Sequence, residues 1–283
     1  MSVCLHCGNP LRESLEEPWC PRCGIRFATK ATPKKHEYLE AVCTTNKYDL
    51  LIDACAGSGK IQYPDGKLGD GSPLILKRLA KDGRCVCIEY DPKTFGLLKT
   101  FASDAELRNG DCNGILPEYV DGKQSTLVFI DPNGYGVPAI RHDVVSKIAQ
   151  TKNTDVLVTF SWRVCREMGH ARKYLNCDRN DCPSPAKMSE KVASCEQCTI
   201  RKVALAYRES LNAWWGHSEW LGWGSMRGAK SYADKYASIL RDGNTIEITP
   251  FSGGEQKHYS NDFYLILATK FDLPKYGILK WFG

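Results

Sequence analysis

Short apolar runs recur along the chain, and three of them end on an acidic residue. Leu51-Ile52 runs into Asp53, Arg84–Ile88 (Arg-Cys-Val-Cys-Ile) into Glu89-Tyr90-Asp91, and Thr126–Ile130 (Thr-Leu-Val-Phe-Ile) into Asp131. Asp155–Phe160 continues the series, and its β-branched residues suit a parallel strand buried on both faces. Runs this short, bounded by turn residues, predict core strands rather than helices. Between and after them, Lys34–Val42 predicts a helix that Pro33 can start. Ile200–Trp215 has helical spacing, with Val203, Ala206, Tyr207 and Leu211 on one face, and Tyr232–Leu240 predicts a further short helix. Thr245–Pro250 and Phe263–Lys270 predict a closing antiparallel pair joined by the polar loop Ser252–Asp262. The Gly-, Pro- and Asp-rich stretch Ile61–Ser72 reads as an inserted loop. Strands alternating with helices predict an α/β, Rossmann-like domain whose sheet begins at Tyr48.

The first acid leads into small residues, Asp53-Ala54-Cys55-Ala56-Gly57-Ser58-Gly59. Glycines let a backbone approach a ligand closely, because no Cβ intervenes. In open α/β sheets ligands bind beyond the carboxyl ends of the strands. The turn is not the dinucleotide pattern G-x-G-x-x-G, since position 62 is Gln. It is the way an S-adenosylmethionine (SAM) site begins, and Asp53, Ala54, Gly57 and Gly59 are its candidate contacts. An acid at the end of the next strand can accept hydrogen bonds from both ribose hydroxyls, which nominates Glu89 with Tyr90 beside it. Asp111 and Cys112, in Arg108-Asn109-Gly110-Asp111-Cys112, could hold the adenine amino group. Each acid could equally cap a helix, and the glycine turn could be an ordinary strand-to-helix turn. The ordered series is what favours a nucleoside cofactor.

Cysteines supply a second chemistry. Cys4-x2-Cys7 and Cys20-x2-Cys23 are twelve residues apart, with Gly8 and Gly24 following the pairs. Two such knuckles complete a tetrahedral Zn²⁺ site, and a segment with so little apolar material needs the metal to fold. Residues 1–27 therefore predict a zinc ribbon. Cys177-x4-Cys182 and Cys195-x2-Cys198 are also twelve residues apart, around Pro183 and Pro185. They predict a second structural zinc within a Cys-rich insertion at about 165–198 of the Rossmann-like domain spanning 34–283. Cys165 and His170 are alternative ligands. Cys43, Cys55, Cys85, Cys87 and Cys112 read as buried structural thiols in strand or helix contexts.

The segments Asp53–Gly59, Gly71-Ser72-Pro73-Leu74-Ile75 and Phe129-Ile130-Asp131-Pro132-Asn133-Gly134-Tyr135 resemble the motifs of three-Cys-motif partner proteins. Those belong to the class I SAM-dependent methyltransferase superfamily. Lys35-His36-Glu37-Tyr38-Leu39 is similar to a stretch before that family's first strand. The resemblance spans roughly residues 34–160. It implies a Rossmann-like methyltransferase fold with a reversed last strand, SAM as cofactor, and a radical-SAM-like partner protein with a three-cysteine motif. The chain departs from the family in its Cys-rich additions and in Asn133, where Phe is more usual.

Composition narrows the partners. No apolar run approaches the ~20 residues that span a bilayer, and the N-terminus lacks a signal-peptide core. With eight of the fourteen cysteines spaced for metal, a reducing, cytoplasmic setting is expected, with no membrane partner. Net charge is +5, a mild preference for anions. Residues 199–241 hold seven Lys or Arg against three Asp or Glu, and four of the seven Trp fall within Trp214–Trp223. Basic side chains neutralise phosphates and aromatic faces stack on unpaired bases, which points to RNA or DNA as substrate; a core Trp patch under a solvated basic helix is the other reading of this segment. In Asp131-Pro132-Asn133-Gly134-Tyr135 the acid and the Pro132 carbonyl could accept the hydrogens of a base amine while Tyr135 stacks. Relative to a D-P-P-Y arrangement, one residue is inserted before the Tyr. A protein methyltransferase and a non-catalytic SAM-fold subunit of a modification complex are the alternatives.

Overall fold

The computed structural model describes residues 4–9, 20, 22–28, 32–63, 65–80, 84–132, 140–161, 229–251 and 263–270. Tyr135, Cys177, Cys182, Cys195, Cys198, the helix expected at 200–215, the Trp-rich segment and the loop at 252–262 lie outside the described residues.

Strands β2 (Leu50–Asp53), β5 (Cys85–Glu89), β6 (Glu106–Asn109), β7 (Thr126–Ile130), β8 (Thr154–Ser161), β9 (Thr245–Phe251) and β10 (Phe263–Thr269) form one sheet in the order β6-β5-β2-β7-β8-β10-β9. The first five are parallel to one another, and β10 runs antiparallel to both neighbours. The strands expected from the apolar runs are present, with ends shifted by one or two residues. The reversed strand sits between β8 and β9, so the last two strands in sequence are not in spatial order.

Burial on both faces explains the unbroken apolar runs. Side chains alternate across the sheet. Leu50, Ile52, Ile88, Val128 and Val158 join one core cluster, which includes residues of α4 (Cys112–Tyr119), α5 (His142–Gln150) and α6 (Ala229–Ile239). Leu51, Cys87, Leu127, Phe129 and Leu157 join the other, with α1 (Thr32–Thr45), α2 (Ser72–Leu79) and α3 (Pro92–Phe101). The expected helix at 34–42 is thus longer at both ends. Pro33 sits in its first turn, where a missing N–H breaks no helical bond.

One expectation is corrected. The stretch 61–72 is not a loop: it contributes the hairpin β3 (Lys60–Gln62) and β4 (Leu68–Asp70), and Ser72 already opens α2. Its turn lies between Tyr63 and Lys67, where the Tyr63 N–H donates to the Lys67 carbonyl (2.8 Å). Tyr63 leaves no room for a side chain at Gly69: a Cβ there would stand 2.4 Å from the ring. The glycine reads as flexible in isolation, yet it serves close packing across a hairpin. β3 also pairs, in parallel, with β1 (Arg26–Phe27), through Arg26↔Ile61 and Phe27↔Gln62. The N-terminal cysteine segment therefore shares a three-stranded sheet, β1-β3-β4, with the chain that leaves the glycine turn.

Candidate functional site

β2 lies between β5 and β7, strands that the chain reaches by going first to one side and then to the other. That reversal is where open α/β sheets bind ligands. The turn after β2 is tied to both neighbours: the Ala54 N–H donates to the Phe129 carbonyl and the Ala56 N–H to that of Ile88, both at 2.9 Å. Gly57 and Gly59 have φ of +65° and +83°, values that L side chains adopt only with strain. Beside them is a cleft partly open to solvent. Arg26, Lys35, Cys55, Gly57, Gly59 and Asp131 are among its walls.

Asp53 is fully buried at the end of β2. One carboxylate oxygen accepts the Cys55 N–H (3.2 Å), and the other has no hydrogen-bond partner among the described residues. Burial pushes its carboxyl up to about 7, a rise moderated by the Ser72 hydroxyl and the Cys55 N–H and reinforced by the charge of Asp131. Asp131 behaves oppositely. It is as deeply buried, and burial opposes its ionisation, but the Lys35 ammonium pairs with it and Arg26 adds further positive charge. The outcome is a carboxyl held below the usual range. His36, next to Lys35, also lines the cleft. Burial, and then the charge of Lys35, push it down to about 4, so it is neutral at pH 7.

The other expected contacts sit along the same strand ends. Glu89 uses one oxygen to accept the Gly57 N–H (2.7 Å) and the other to accept the Asp91 N–H (2.8 Å). It thereby braces the glycine turn. The Asn109 amide donates to the Glu89 carbonyl (2.7 Å), fastening β6 to this edge. Tyr90 follows with its side chain 76% exposed, a large aromatic surface in water. Asp111 is the N-cap of α4 and accepts the Asn113 N–H (2.9 Å); its side chain is exposed. Asp91 caps α3 in the same manner, through Thr94. Cys112 is buried beside Cys55, whose thiol is pushed well up by its contact with Cys112 and by burial. Cys43, Cys85 and Cys87 are buried as expected. Cys55 departs from that reading: it lies in the turn, half-buried, on the cleft wall. Pro132 follows Asp131 at the end of β7, half-buried.

At the N-terminus the four sulfurs of Cys4, Cys7, Cys20 and Cys23 lie within 4.8 Å of one another. Cys4 and Cys23 are 3.5 Å apart and Cys7 and Cys20 are 3.7 Å apart. Four thiolates at ~2.3 Å from one tetrahedral zinc would be separated by about 3.8 Å, so the spacing fits that ion. The two knuckles have matching backbones. The Gly8 N–H donates to the Cys4 carbonyl and the Gly24 N–H to that of Cys20, both at 2.8 Å, with both glycines at positive φ. Among the described residues, Ile25 is buried with the cysteines in this cluster, and Phe27, Leu97 and Phe101 pack against it.

No protein-family model matches the chain, and no curated protein matches it. Solved structures do. It is similar to the precorrin-6y C5,15-methyltransferase of Geobacter metallireducens at 12% identity and a TM-score of 0.41, covering 87% of this chain and 94% of that one. It is similar to the plantazolicin methyltransferase BamL, solved with a triazolic desmethyl analogue and SAH, at 8% identity and 0.43, covering 85% of each chain. It is similar to M. jannaschii TYW2 in complex with AdoMet at 10% identity and 0.35, covering 85% and 75%. The sheet order above is a Rossmann-like α/β architecture. What its cleft does is read from its own residues.

Arg26, Lys35 and His36 were not among the residues nominated from sequence. Arg26 lies in a stretch that reads as the tail of a metal knuckle. Lys35 and His36 precede β2 by more than ten residues, and only the resemblance draws attention to them.

With SAM as the ligand, the expectation from the sequence, replacing Glu89 by alanine should weaken binding by about 1.5–3 kcal/mol, the scale of charge-assisted hydrogen bonds. Titration calorimetry measures it. An unchanged affinity would remove Glu89 from the cofactor's contacts.

Proposed function

We propose that this protein is a SAM-dependent methyltransferase acting on a base of RNA or DNA, with structural zinc at the four-cysteine cluster. The observation that carries the cofactor reading is the meeting, at the reversal point of the sheet, of a positive-φ glycine turn with the buried carboxylates Asp53, Glu89 and Asp131. Asp53 offers an unpartnered buried oxygen to the cofactor's ammonium. Glu89 has remaining lone pairs for ribose hydroxyls, and Asp111 and the exposed Tyr90 face solvent at the strand ends, available to adenine. When bound, SAM supplies a methyl group on a sulfonium that is already a good leaving group.

The chain's own residues then need to position the acceptor more than to move protons. Asp131, kept ionised by Lys35, is a weak base at neutral pH but a strong hydrogen-bond acceptor. Together with the Pro132 carbonyl it can hold the hydrogens of an exocyclic amine and turn the nitrogen lone pair toward the methyl. The positive charge and tryptophans of residues 199–241 support a nucleic-acid acceptor. Incubation with labelled SAM and separate RNA, DNA and protein pools tests this. Label in protein alone would favour the protein methyltransferase. Label in none, with a three-cysteine-motif radical-SAM-like partner present, would favour the non-catalytic subunit.

The pH dependence of cofactor binding follows from Asp53. Its cofactor-free carboxyl titrates near 7 and must be ionised to meet an ammonium. Affinity should therefore be full above pH 7 and fall as pH drops through 7, approaching about tenfold per unit. Binding at pH 6 should release a proton, seen as a dependence of the calorimetric heat on buffer ionisation enthalpy. Asp53→Asn should remove both the slope and the release. A flat affinity in the native protein between pH 6 and 8 would contradict the assignment.

A further inference from the structure

The cysteine cluster is not spaced away from the cleft. Arg26 follows Cys23 by three residues and belongs to β1, which pairs with β3 directly after Gly59. The Leu5 N–H, within the first knuckle, donates to the Gln62 side chain (2.9 Å), and the Ala28 N–H donates to the Gln62 carbonyl (2.8 Å). Phe101 packs on the cysteine cluster through its ring side and lies against Gly59 through its Cβ, which is 3.4 Å from where a Gly59 Cβ would stand. His6 adds an edge contact to the Phe101 ring (5.7 Å between centroids). The Arg26 guanidinium covers the glycine turn, its Nε 3.3 Å from where a Gly57 Cβ would stand.

The charge in the cleft is also unequal. Lys35 is paired with Asp131, Asp53 is only partly ionised at neutral pH, and His36 is neutral. Lys60, also on the cleft wall, is paired with Asp70, and both oxygens of Glu89 accept backbone N–H groups, so Arg26 is a further cation beside these pairs. The Gly57 N–H, which could otherwise serve an anion, is already given to Glu89. SAM has a single anionic group, its carboxylate.

We propose that Arg26 binds the carboxylate of the cofactor, and that metal in the four-cysteine cluster holds Arg26 in place, so that metal and cofactor binding are coupled. This rests on the SAM reading above. Among the described residues the knuckles bury little besides the thiols and Ile25, with Phe27, Leu97 and Phe101 against them, so metal supplies much of what holds β1 against β3. Coupling is reciprocal: what metal does for cofactor affinity, cofactor does for metal retention. The competing role for Arg26 is to neutralise Asp53 and Asp131 without touching the ligand.

The zinc-loaded protein and its Arg26→Ala variant are titrated with SAM and with decarboxylated SAM, and zinc transfer to a chromogenic chelator is timed with and without SAM. Arg26→Ala is expected to lower SAM affinity about tenfold or more and to leave decarboxylated SAM within about threefold, with zinc content unchanged. Saturating SAM is expected to slow zinc transfer from the native protein and not from Arg26→Ala. Retained zinc and retained binding of decarboxylated SAM show that the variant is folded. Equal losses for the two ligands, or no effect of SAM on zinc transfer, would overturn the proposal while leaving the SAM site standing. If the native protein binds neither ligand, the cofactor reading fails and this proposal with it.

Discussion

Asp131→Ala is expected to lower methyl transfer about 10- to 100-fold, the size of a lost hydrogen bond to a charged group, while SAM affinity moves by less than about threefold. Such a split marks an interaction made in the transition state and not with the cofactor alone. The structure adds a complication that the sequence did not reveal. Asp131 and Lys35 are paired with side chains only 8% and 12% exposed, so removing either strands a buried charge. Lys35→Met alone should therefore destabilise the fold by about 3–5 kcal/mol, read from denaturant unfolding. The double change Lys35→Met with Asp131→Asn should recover most of that stability but not the turnover. This separates the two roles of Asp131. If the double variant regains methyl transfer, Asp131 contributes only by keeping the site folded.

Elemental analysis is expected to find two zinc ions per chain. Cys20→Ser with Cys23→Ser should leave one and render residues 4–28 sensitive to protease. Apparent binding energies of structural zinc in small modules are about 10–16 kcal/mol, so the loss should be all-or-none rather than graded. The compact four-sulfur geometry carries the first site. The second, at Cys177, Cys182, Cys195 and Cys198, rests on spacing alone. Cys195→Ser with Cys198→Ser tests it directly: zinc unchanged at one per chain would leave the N-terminal cluster as the single metal centre.

Much of the sheet is legible in the chain because a strand buried on both faces is apolar at most positions. Leu50–Ile52, Val86–Ile88 and Leu127–Ile130 satisfy that without any alternative partner for their side chains. The knuckles were legible for a related reason: metal geometry fixes sequence spacing, and glycines at positions 8 and 24 are demanded locally by positive φ. Asp91 and Asp111 show the limit of such reading. An acid before a helix looks the same whether it caps, binds a ligand or does both, and both residues are caps in the structure. The hairpin at 60–70 pairs β3 with β4 locally, but its further pairing with β1 joins it to a segment over thirty residues upstream. Local composition carries no record of that contact. Arg26 and Lys35 entered the cleft for the same reason. Their charges are ordinary in sequence, and only folding sets them against Gly57 and Asp131, where burial turns a surface charge into a strong electrostatic element. The identity of a strand is set by the surface it must bury, which the chain encodes residue by residue. The membership of a cleft is set by which distant segments converge on it, and that is decided by tertiary packing.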